Sequence, residues 1–106
     1  MHCSTPLTKK ETLQFRQIRD QISRADADLI RAILQRMSAV VRLAKLKEKS
    51  GMAIEDLPRK KLVQARFENL LHRNRIGQEI SKSFSRSLFR VIYLESIQIQ
   101  TKRRKR

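Results

Sequence analysis

Apolar side chains recur at helical spacing through the first half of the chain. From Phe15 onward they return every three or four residues, and no glycine or proline interrupts the pattern before Gly51. Thr8 and Glu11 have the Ser/Thr-x-x-Glu spacing of a capping box, and a glycine after the last periodic residue is typical of a helix end. The pattern therefore predicts one uninterrupted helix from Thr8 to about Lys49.

A helix of this length has a consequence for assembly. About forty residues form a rod of about 60 Å, whereas a compact monomer of about a hundred residues has a radius of gyration of only about 13 Å. The remaining residues are too few to cover the apolar stripe of such a rod. The pattern therefore predicts that the helix packs against a second chain.

Cations interrupt the apolar stripe of this helix. Arg36 falls where the heptad count from Phe15 places a core residue, and Lys47, eleven residues later, lies about 20° away on the same face. Burying two cations is costly without anionic partners, so this face is a candidate anion site. Arg19 lies about 100° from Arg36, on a face that could serve the other protomer of a dimer. The alternative is that these long side chains only snorkel from the edges of the stripe.

The second half of the chain predicts two more helices. A loop at residues 50–54 is followed by a helix that starts near Asp56, with Asp56 as N-cap and Pro58 in the first turn. This helix is predicted to close near residues 74–77, and the third to run over about 78–100. The fold class is therefore all-α, with three helices of which the first is very long.

Two polar residues lie beside the apolar face of the third predicted helix. Ser96 follows Ile92 by four residues and precedes Gln100 by four, so Ser96 and Gln100 lie along its flank. By default, a single serine or glutamine at such a position is expected to lie at the edge of the apolar face and to face water. The spacing alone therefore leaves open whether they belong to a site.

The charge of the chain favours an anionic ligand. The formal net charge of the 106 residues is +15, and removing the last five residues, which are all basic, leaves 20 basic against 10 acidic residues. Such a surplus suits phosphate, nucleic acid or small polyanions, although it also simply keeps a small protein soluble. One tyrosine, four phenylalanines and no tryptophan offer no aromatic platform for bases, which argues against a nucleic-acid partner.

The composition also bears on redox state and compartment. Cys3 is the only cysteine, and the only histidines are His2 and His72, so one chain can assemble neither a disulfide nor a zinc site from them. This predicts no metal and a reducing, cytoplasmic setting. No apolar run approaches the length of a signal-peptide core or a membrane span, so no membrane partner is expected. The predicted division is a disordered N-terminus at 1–7, a helical domain at 8–101 and a basic tail at 102–106.

The charged and polar residues follow an ordered pattern over residues 12–101. Its elements are Ile18-Arg19-x-x-Ile22 with Asp26, Arg36, Lys47, Ile54-x-Asp56-x-x-Arg59, Leu88-Phe89-x-x-Ile92-x-x-Glu95-Ser96, and Gln100. Each element alone is weak, but their order and spacing are specific. In this respect the chain resembles the all-helical class of chorismate mutases.

The resemblance implies an intertwined homodimer in which two long helices pair. Each of its two sites would be built mostly from one chain. By the same resemblance Arg19 would reach into the site of the other protomer, and Arg36 would bind a carboxylate of the substrate.

The resemblance also implies roles for five further residues. Lys47 and Gln100 would be catalytic and would hold the ether oxygen of the substrate. Asp56, Arg59 and Ser96 would complete the binding pocket.

The implied reaction explains these residue types. In the conversion of chorismate to prephenate, a step of aromatic amino-acid biosynthesis, a C–O bond breaks as a C–C bond forms within one dicarboxylate molecule. No nucleophile, base, metal or cofactor is required. The protein has to hold the compact reactive shape and stabilise charge on the ether oxygen. Arginines suit the two carboxylates because the guanidinium fork binds a carboxylate in a bidentate way.

One position departs from the family. The residue after Arg59 is usually a glutamate that binds the ring hydroxyl of the substrate, and this chain has Lys60 there. A lysine can donate to that hydroxyl but cannot accept from it. The change could weaken the activity, redirect it, or place Lys60 away from the pocket.

Two alternatives follow. The first is an isochorismate pyruvate-lyase, or an enzyme for another chorismate-like substrate, on the same scaffold. The lyases also lack that glutamate, and the Arg36-Met37 pair is similar to theirs, whereas Asp56 and the Glu95-Ser96 pair favour the mutase. A basic helical protein with a regulatory or nucleic-acid-binding role is the third possibility. It would show binding with a steep salt dependence.

Overall fold

The computed structural model describes residues 5–104 and shows an all-α chain. Its helices are α1 (Lys9–Lys49), α2 (Leu57–Leu71), α3 (Arg75–Glu79) and α4 (Lys82–Arg104). The described residues contain no strand. The all-α class and the very long first helix are confirmed, but residues 5–104 form four helices where the sequence predicted three.

The chain divides into two compact units, Met1–Arg36 and Met37–Arg106. The first unit contains the N-terminal part of α1, whose start is capped as predicted. The backbone N–H of Thr8 donates to Glu11 Oε1 at 3.0 Å, and the backbone N–H of Glu11 donates to Thr8 Oγ1 at 3.1 Å. The hydrogen bond from the Thr8 backbone N–H, followed by the interaction with the Thr8 side chain, lowers the pKa of the Glu11 carboxyl.

The apolar stripe of the first unit is exposed in the single chain. Phe15, Ile18, Ile22 and Leu29 are each 48–55% exposed. An apolar stripe of this length is the surface that the predicted second chain would cover. The homodimer itself stays a prediction.

The second unit begins with the last turns of α1, which end as the sequence predicted. Gly51 has a φ of +68°, in the left-handed region that favours glycine. The N–H of Gly51 donates to the carbonyl of Glu48 at 3.2 Å, and that of Met52 donates to the carbonyl of Lys47 at 2.8 Å. This is a Schellman motif, which gives partners to carbonyls that the helix end leaves open.

Helix α2 begins at the predicted cap and packs on α4. Asp56 Oδ1 accepts a hydrogen bond of 3.1 Å from the backbone N–H of Arg59, and Pro58 lies in the first turn. The ring of Phe67 meets that of Phe89 edge to face, with centroids 5.5 Å apart. Phe89 is buried, so this contact belongs to the small core of the second unit.

The prediction that residues 74–77 close one helix and that the next begins near Gln78 is wrong. Asn74 starts α3 instead, because its side chain accepts from the N–H of Gly77 at 2.8 Å. Gly77 is buried within α3, and a Cβ there would collide with the carbonyl oxygen of Leu71. This glycine therefore permits a close approach of two backbones and does not terminate a helix. Helix α4 then starts at Lys82.

The last helix extends beyond its predicted end. Helix α4 continues past Gln100 to Arg104, so the segment predicted as a basic tail is helical over residues 102–104. Cations in the last turn interact favourably with the negative end of the helix dipole, which supports this extension. Residues 105–106 of the tail lie outside the described residues.

The predicted N-terminal segment is described only in part. Residues 5–7 are non-helical and precede α1, and the predictions for 1–4, including those for His2 and Cys3, lie outside the described residues. Over 5–104 no helix combines the length and apolar character needed to cross a membrane.

Candidate active site

Lys47 of the second unit is anchored by two hydrogen bonds. Its ammonium donates to the backbone carbonyl of Ile54 at 2.6 Å and to Oε1 of Gln100 at 3.0 Å. The two acceptors lie on different elements: Ile54 is in the loop before α2, and Gln100 is on α4. A lysine ammonium has three N–H donors, so this arrangement aims the third one in a defined direction.

Gln100 and Ser96 are buried, each 5% exposed, so the interpretation of a water-facing edge is wrong for both. Nε2 of Gln100 donates to the carbonyl of Ser96 at 3.2 Å, which fixes the amide with its oxygen toward Lys47. The hydroxyl of Ser96 donates to the carbonyl of Ile92 at 2.8 Å and approaches the sulfur of Met37 at 3.8 Å. The second N–H of Gln100 is the donor that this geometry leaves to a ligand.

A cleft of about 460 Å³ opens beside Lys47. We call it the Lys47 cleft; it is lined by Lys47, by Met52, Ala53 and Glu55 of the loop, and by Asp56, Leu57 and Pro58 at the start of α2. The structure thus brings the predicted residues Lys47 and Asp56 to one cleft. One oxygen of Asp56 caps α2, and the other is available as an acceptor.

Among the predicted residues of the second unit, Arg59, Ser96 and Gln100 do not line this cleft. The side chain of Arg59 is exposed and is not part of the lining, while its backbone N–H bonds to Asp56. Arg19 and Arg36 belong to the first unit. The guanidinium of Arg19 lies 4.7 Å over the ring of Phe15, and partial burial lowers the pKa of Arg36. The binding roles of these arginines stay predictions.

Sequence reasoning missed a tyrosine and a carboxylate at the edge of the cleft. The hydroxyl of Tyr93 donates to Oε1 of Glu55 at 2.7 Å, and Glu55 lines the Lys47 cleft. Burial, followed by the bond to the Glu55 carboxylate, raises the pKa of Tyr93 to about 12. Tyr93 lies seven residues before Gln100, and two turns put both on one helix face, so the spacing carried a usable signal.

Lys60 lies against Tyr93 and does not line the Lys47 cleft. Its ammonium lies 4.7 Å over the ring of Tyr93, and it is half-buried there. Lys60 therefore contacts Tyr93 of α4.

Within residues 5–104 no three His, Cys, Asp or Glu side chains gather where they could hold a metal ion. The Lys47 cleft itself offers charged and hydrogen-bonding side chains. The third N–H of Lys47 suits the stabilisation of charge that develops on an oxygen, and the lining also carries the carboxylates of Glu55 and Asp56.

Comparison with known protein families agrees with this arrangement. The model of the family described as chorismate mutase type II matches residues 18–101. No curated protein and no solved structure matches the chain. The matched region includes all of α2 and α3, most of α1 and α4, and every residue of the Lys47 cleft. The chain is a member of the chorismate mutase type II family, the all-helical class of these isomerases.

Proposed function

We propose that this chain is a chorismate mutase that converts chorismate to prephenate in the cytoplasm, as a step of aromatic amino-acid biosynthesis. The observation that carries the proposal is the anchoring of Lys47 by Ile54 and Gln100, which aims one N–H of an ammonium at a fixed place beside the cleft. Membership of the family supports the same activity.

The proposed mechanism needs no group beyond this chain's own side chains. The C–O ether bond of chorismate breaks while a C–C bond forms in the same molecule, and no proton changes its place. Negative charge grows on the ether oxygen as that bond breaks. Lys47 and Gln100 donate hydrogen bonds to this oxygen, and because both are held before the substrate arrives, little reorganisation is needed at the transition state.

Binding of the two carboxylates is assigned to the arginines. Chorismate is a flexible dianion that reacts only from a compact conformation, so its carboxylates have to be fixed. Arg36 takes one of them, and its partial burial strengthens a charged contact relative to one in water. Arg59 and Ser96 are proposed to complete the pocket, with the second oxygen of Asp56 as an acceptor for the substrate.

The proposed enzyme is a homodimer in which Arg19 of one protomer reaches the site of the other. The exposed apolar stripe on the first unit supports this assembly, because a second copy would bury it.

Mixing two inactive variants, Arg19→Ala and Lys47→Ala, tests whether Arg19 of one protomer serves the site of the other. In mixed dimers one of the two sites is intact, so subunit exchange should restore roughly a quarter of the wild-type activity. If subunit exchange is demonstrated and no activity returns, the proposed role of Arg19 in the partner's site is contradicted.

The activity itself is tested with purified protein and chorismate. Loss of chorismate is followed by absorbance, and the product is identified by NMR. Prephenate formed in proportion to enzyme concentration, at a rate well above the uncatalysed one, is the expected result. Failure to form prephenate with folded dimeric protein would refute the proposed function.

A second candidate is isochorismate pyruvate-lyase activity. The observation that favours it is Lys60 itself, because the position that usually supplies the glutamate of the mutase offers no acceptor here and does not line the Lys47 cleft. Salicylate and pyruvate from isochorismate, without prephenate from chorismate, would establish this alternative. We favour the mutase because Glu55 already places a carboxylate at the edge of the cleft.

A further inference from the structure

A second concave surface lies between α2 and α4. It has a volume of about 300 Å³, and we call it the α2/α4 groove. Lys60 and Gln64, one turn apart on α2, line one side, and Arg86 and Arg90, one turn apart on α4, line the other. None of these four residues belongs to the Lys47 cleft.

The charge of the α2/α4 groove has one sign. Three of its lining residues are cations, and no carboxylate is among them. Over residues 5–104 no hydrogen bond or ion pair to a carboxylate is found for Lys60 or Arg90. Arg86 also lines a neighbouring cleft that contains Glu68, so its charge is shared between the two surfaces. Lys60 and Arg90 therefore carry most of the attraction for an anion.

The floor of the groove is apolar and aromatic. Phe89 is only 4% exposed, and its ring stacks with that of Tyr93 at a centroid distance of 5.7 Å and an angle of 23°. Leu94 completes the floor. Pockets for small molecules are usually about 300–1,000 Å³, so the volume here suits a molecule with one ring. A flat ring can rest on this floor while a charged group on the ring faces the cations.

We propose that the α2/α4 groove binds a small aromatic carboxylate at a site distinct from the Lys47 cleft. The carboxylate lies between Arg90 and Lys60, because a guanidinium fork binds it in a bidentate way and the ammonium reaches it from the opposite wall. The ring contacts Leu94, which is 53% exposed in the lining. Gln64 supplies a neutral donor or acceptor for a substituent on the ring.

The same features exclude two other ligand classes. A free aromatic amino acid would bring an ammonium group among three cations, and no carboxylate in the lining would compensate for that repulsion. An aliphatic carboxylate such as acetate would satisfy the cations but leave the exposed apolar side chain of Leu94 uncovered. The groove therefore selects for a ring and a net negative charge together.

Benzoate is the probe that tests the proposal. The ¹⁵N-labelled full chain is titrated with benzoate, and backbone amide shifts are followed. Saturable shifts are expected at residues 60–64 and 86–94, with no comparable change at 52–58. Acetate, benzylamine and phenylalanine are the matched probes, and each should give weaker or no saturable shifts at the same residues.

Variants distinguish binding of benzoate in the groove from nonspecific attraction of benzoate to a basic protein. Arg90→Gln should raise the dissociation constant of benzoate about tenfold or more, because it removes a charge-assisted hydrogen bond. Arg66→Gln, an exposed α2 residue outside the groove, should leave it unchanged. Lys60→Gln provides a second variant if Arg90→Gln fails to fold, as judged by circular dichroism.

Three results would overturn the proposal. They are benzoate shifts centred on residues 52–58, shifts spread over basic residues without saturation, and equal affinity of wild type and the folded groove variants. Because the readout is binding and not turnover, each of these results is independent of whether the chain rearranges chorismate.

Discussion

The Lys47 cleft and the α2/α4 groove each contain a half-buried lysine, but the two lysines are held in different ways. Lys47 donates to two fixed oxygens at 2.6 and 3.0 Å, whereas Lys60 rests on the ring of Tyr93 at 4.7 Å. Directed hydrogen bonds fix where an N–H points, and a cation over a ring keeps rotational freedom. The first arrangement suits the stabilisation of charge on one atom, and the second suits binding.

Tyr93 connects these two regions. Its hydroxyl bonds to Glu55 of the Lys47 cleft, and its ring lines the α2/α4 groove. We expect the largest effect on turnover from a change at Lys47 and a smaller one from a change at Gln100. The titration of Tyr93 and a change at Lys60 follow, with the smallest effect expected at Lys60.

The largest effect is expected from Lys47→Ala. Removal of a fixed donor from an oxygen that gains charge usually costs about 10²–10³ in turnover, so kcat for chorismate should fall by at least that much. Helix content by circular dichroism should be unchanged. Lys45→Ala, an exposed cation on the same helix, is the control and should retain full activity. Full activity of Lys47→Ala would refute the assignment of the site.

Gln100→Ala should have a smaller effect on the same reaction. It removes a neutral donor and one of the two acceptors that orient Lys47, and a neutral hydrogen bond contributes about 0.5–1.5 kcal/mol. A loss of about tenfold in kcat/KM is therefore expected. Gln98→Ala, an exposed glutamine on α4, is the matched control. Equal loss in both variants would indicate damage to the helix and not to the site.

The titration of Tyr93 tests the connection between the regions. Because Tyr93 is the only tyrosine, phenolate absorbance reports its pKa alone. We expect a midpoint near pH 12 in the folded chain, compared with about 10 in urea, and a lower midpoint in Glu55→Gln. A folded-state pKa above the unfolded one gives stability that is full below pH 10 and is lost as the pH rises toward 12. A folded midpoint near 10 would contradict the bond to Glu55.

The smallest effect is expected from Lys60→Gln. The contact with Tyr93 is worth about 0.5–1 kcal/mol, so thermal unfolding should change only slightly. Turnover of chorismate should stay within about twofold of wild type, since Lys60 does not line the Lys47 cleft. A large loss of turnover would place Lys60 in the catalytic site and remove the distinction between the two regions.

The sequence predicted the features that depend on local chemistry. The capping box at Thr8, the glycine end of α1 at Gly51 and the N-cap at Asp56 are found where the pattern placed them. Each depends on residues within one turn. The long helix was predictable for the same reason, since an apolar repeat without glycine or proline permits few alternatives.

The features that depend on tertiary packing were not predictable in this way. A glycine can end a helix or permit a close approach of two backbones, and the sequence does not distinguish these two roles. At Gly77 the packing against the backbone of Leu71 decides for the second role. The orientation of Lys60 depends in the same way on a ring that lies 33 positions further along the chain. The acceptor of Lys47 in the loop is a backbone carbonyl, which any residue at position 54 would supply.

Mapping where the product binds tests the central claim most directly, namely that the Lys47 cleft is the active site and the α2/α4 groove is separate from it. Prephenate is titrated into the ¹⁵N-labelled chain, and backbone and glutamine side-chain signals are followed. The account predicts saturable shifts at residues 52–58 and at the side-chain amide of Gln100, which are lost in Lys47→Ala. Shifts centred on Gln64 and Arg90, with 52–58 unchanged, would contradict it.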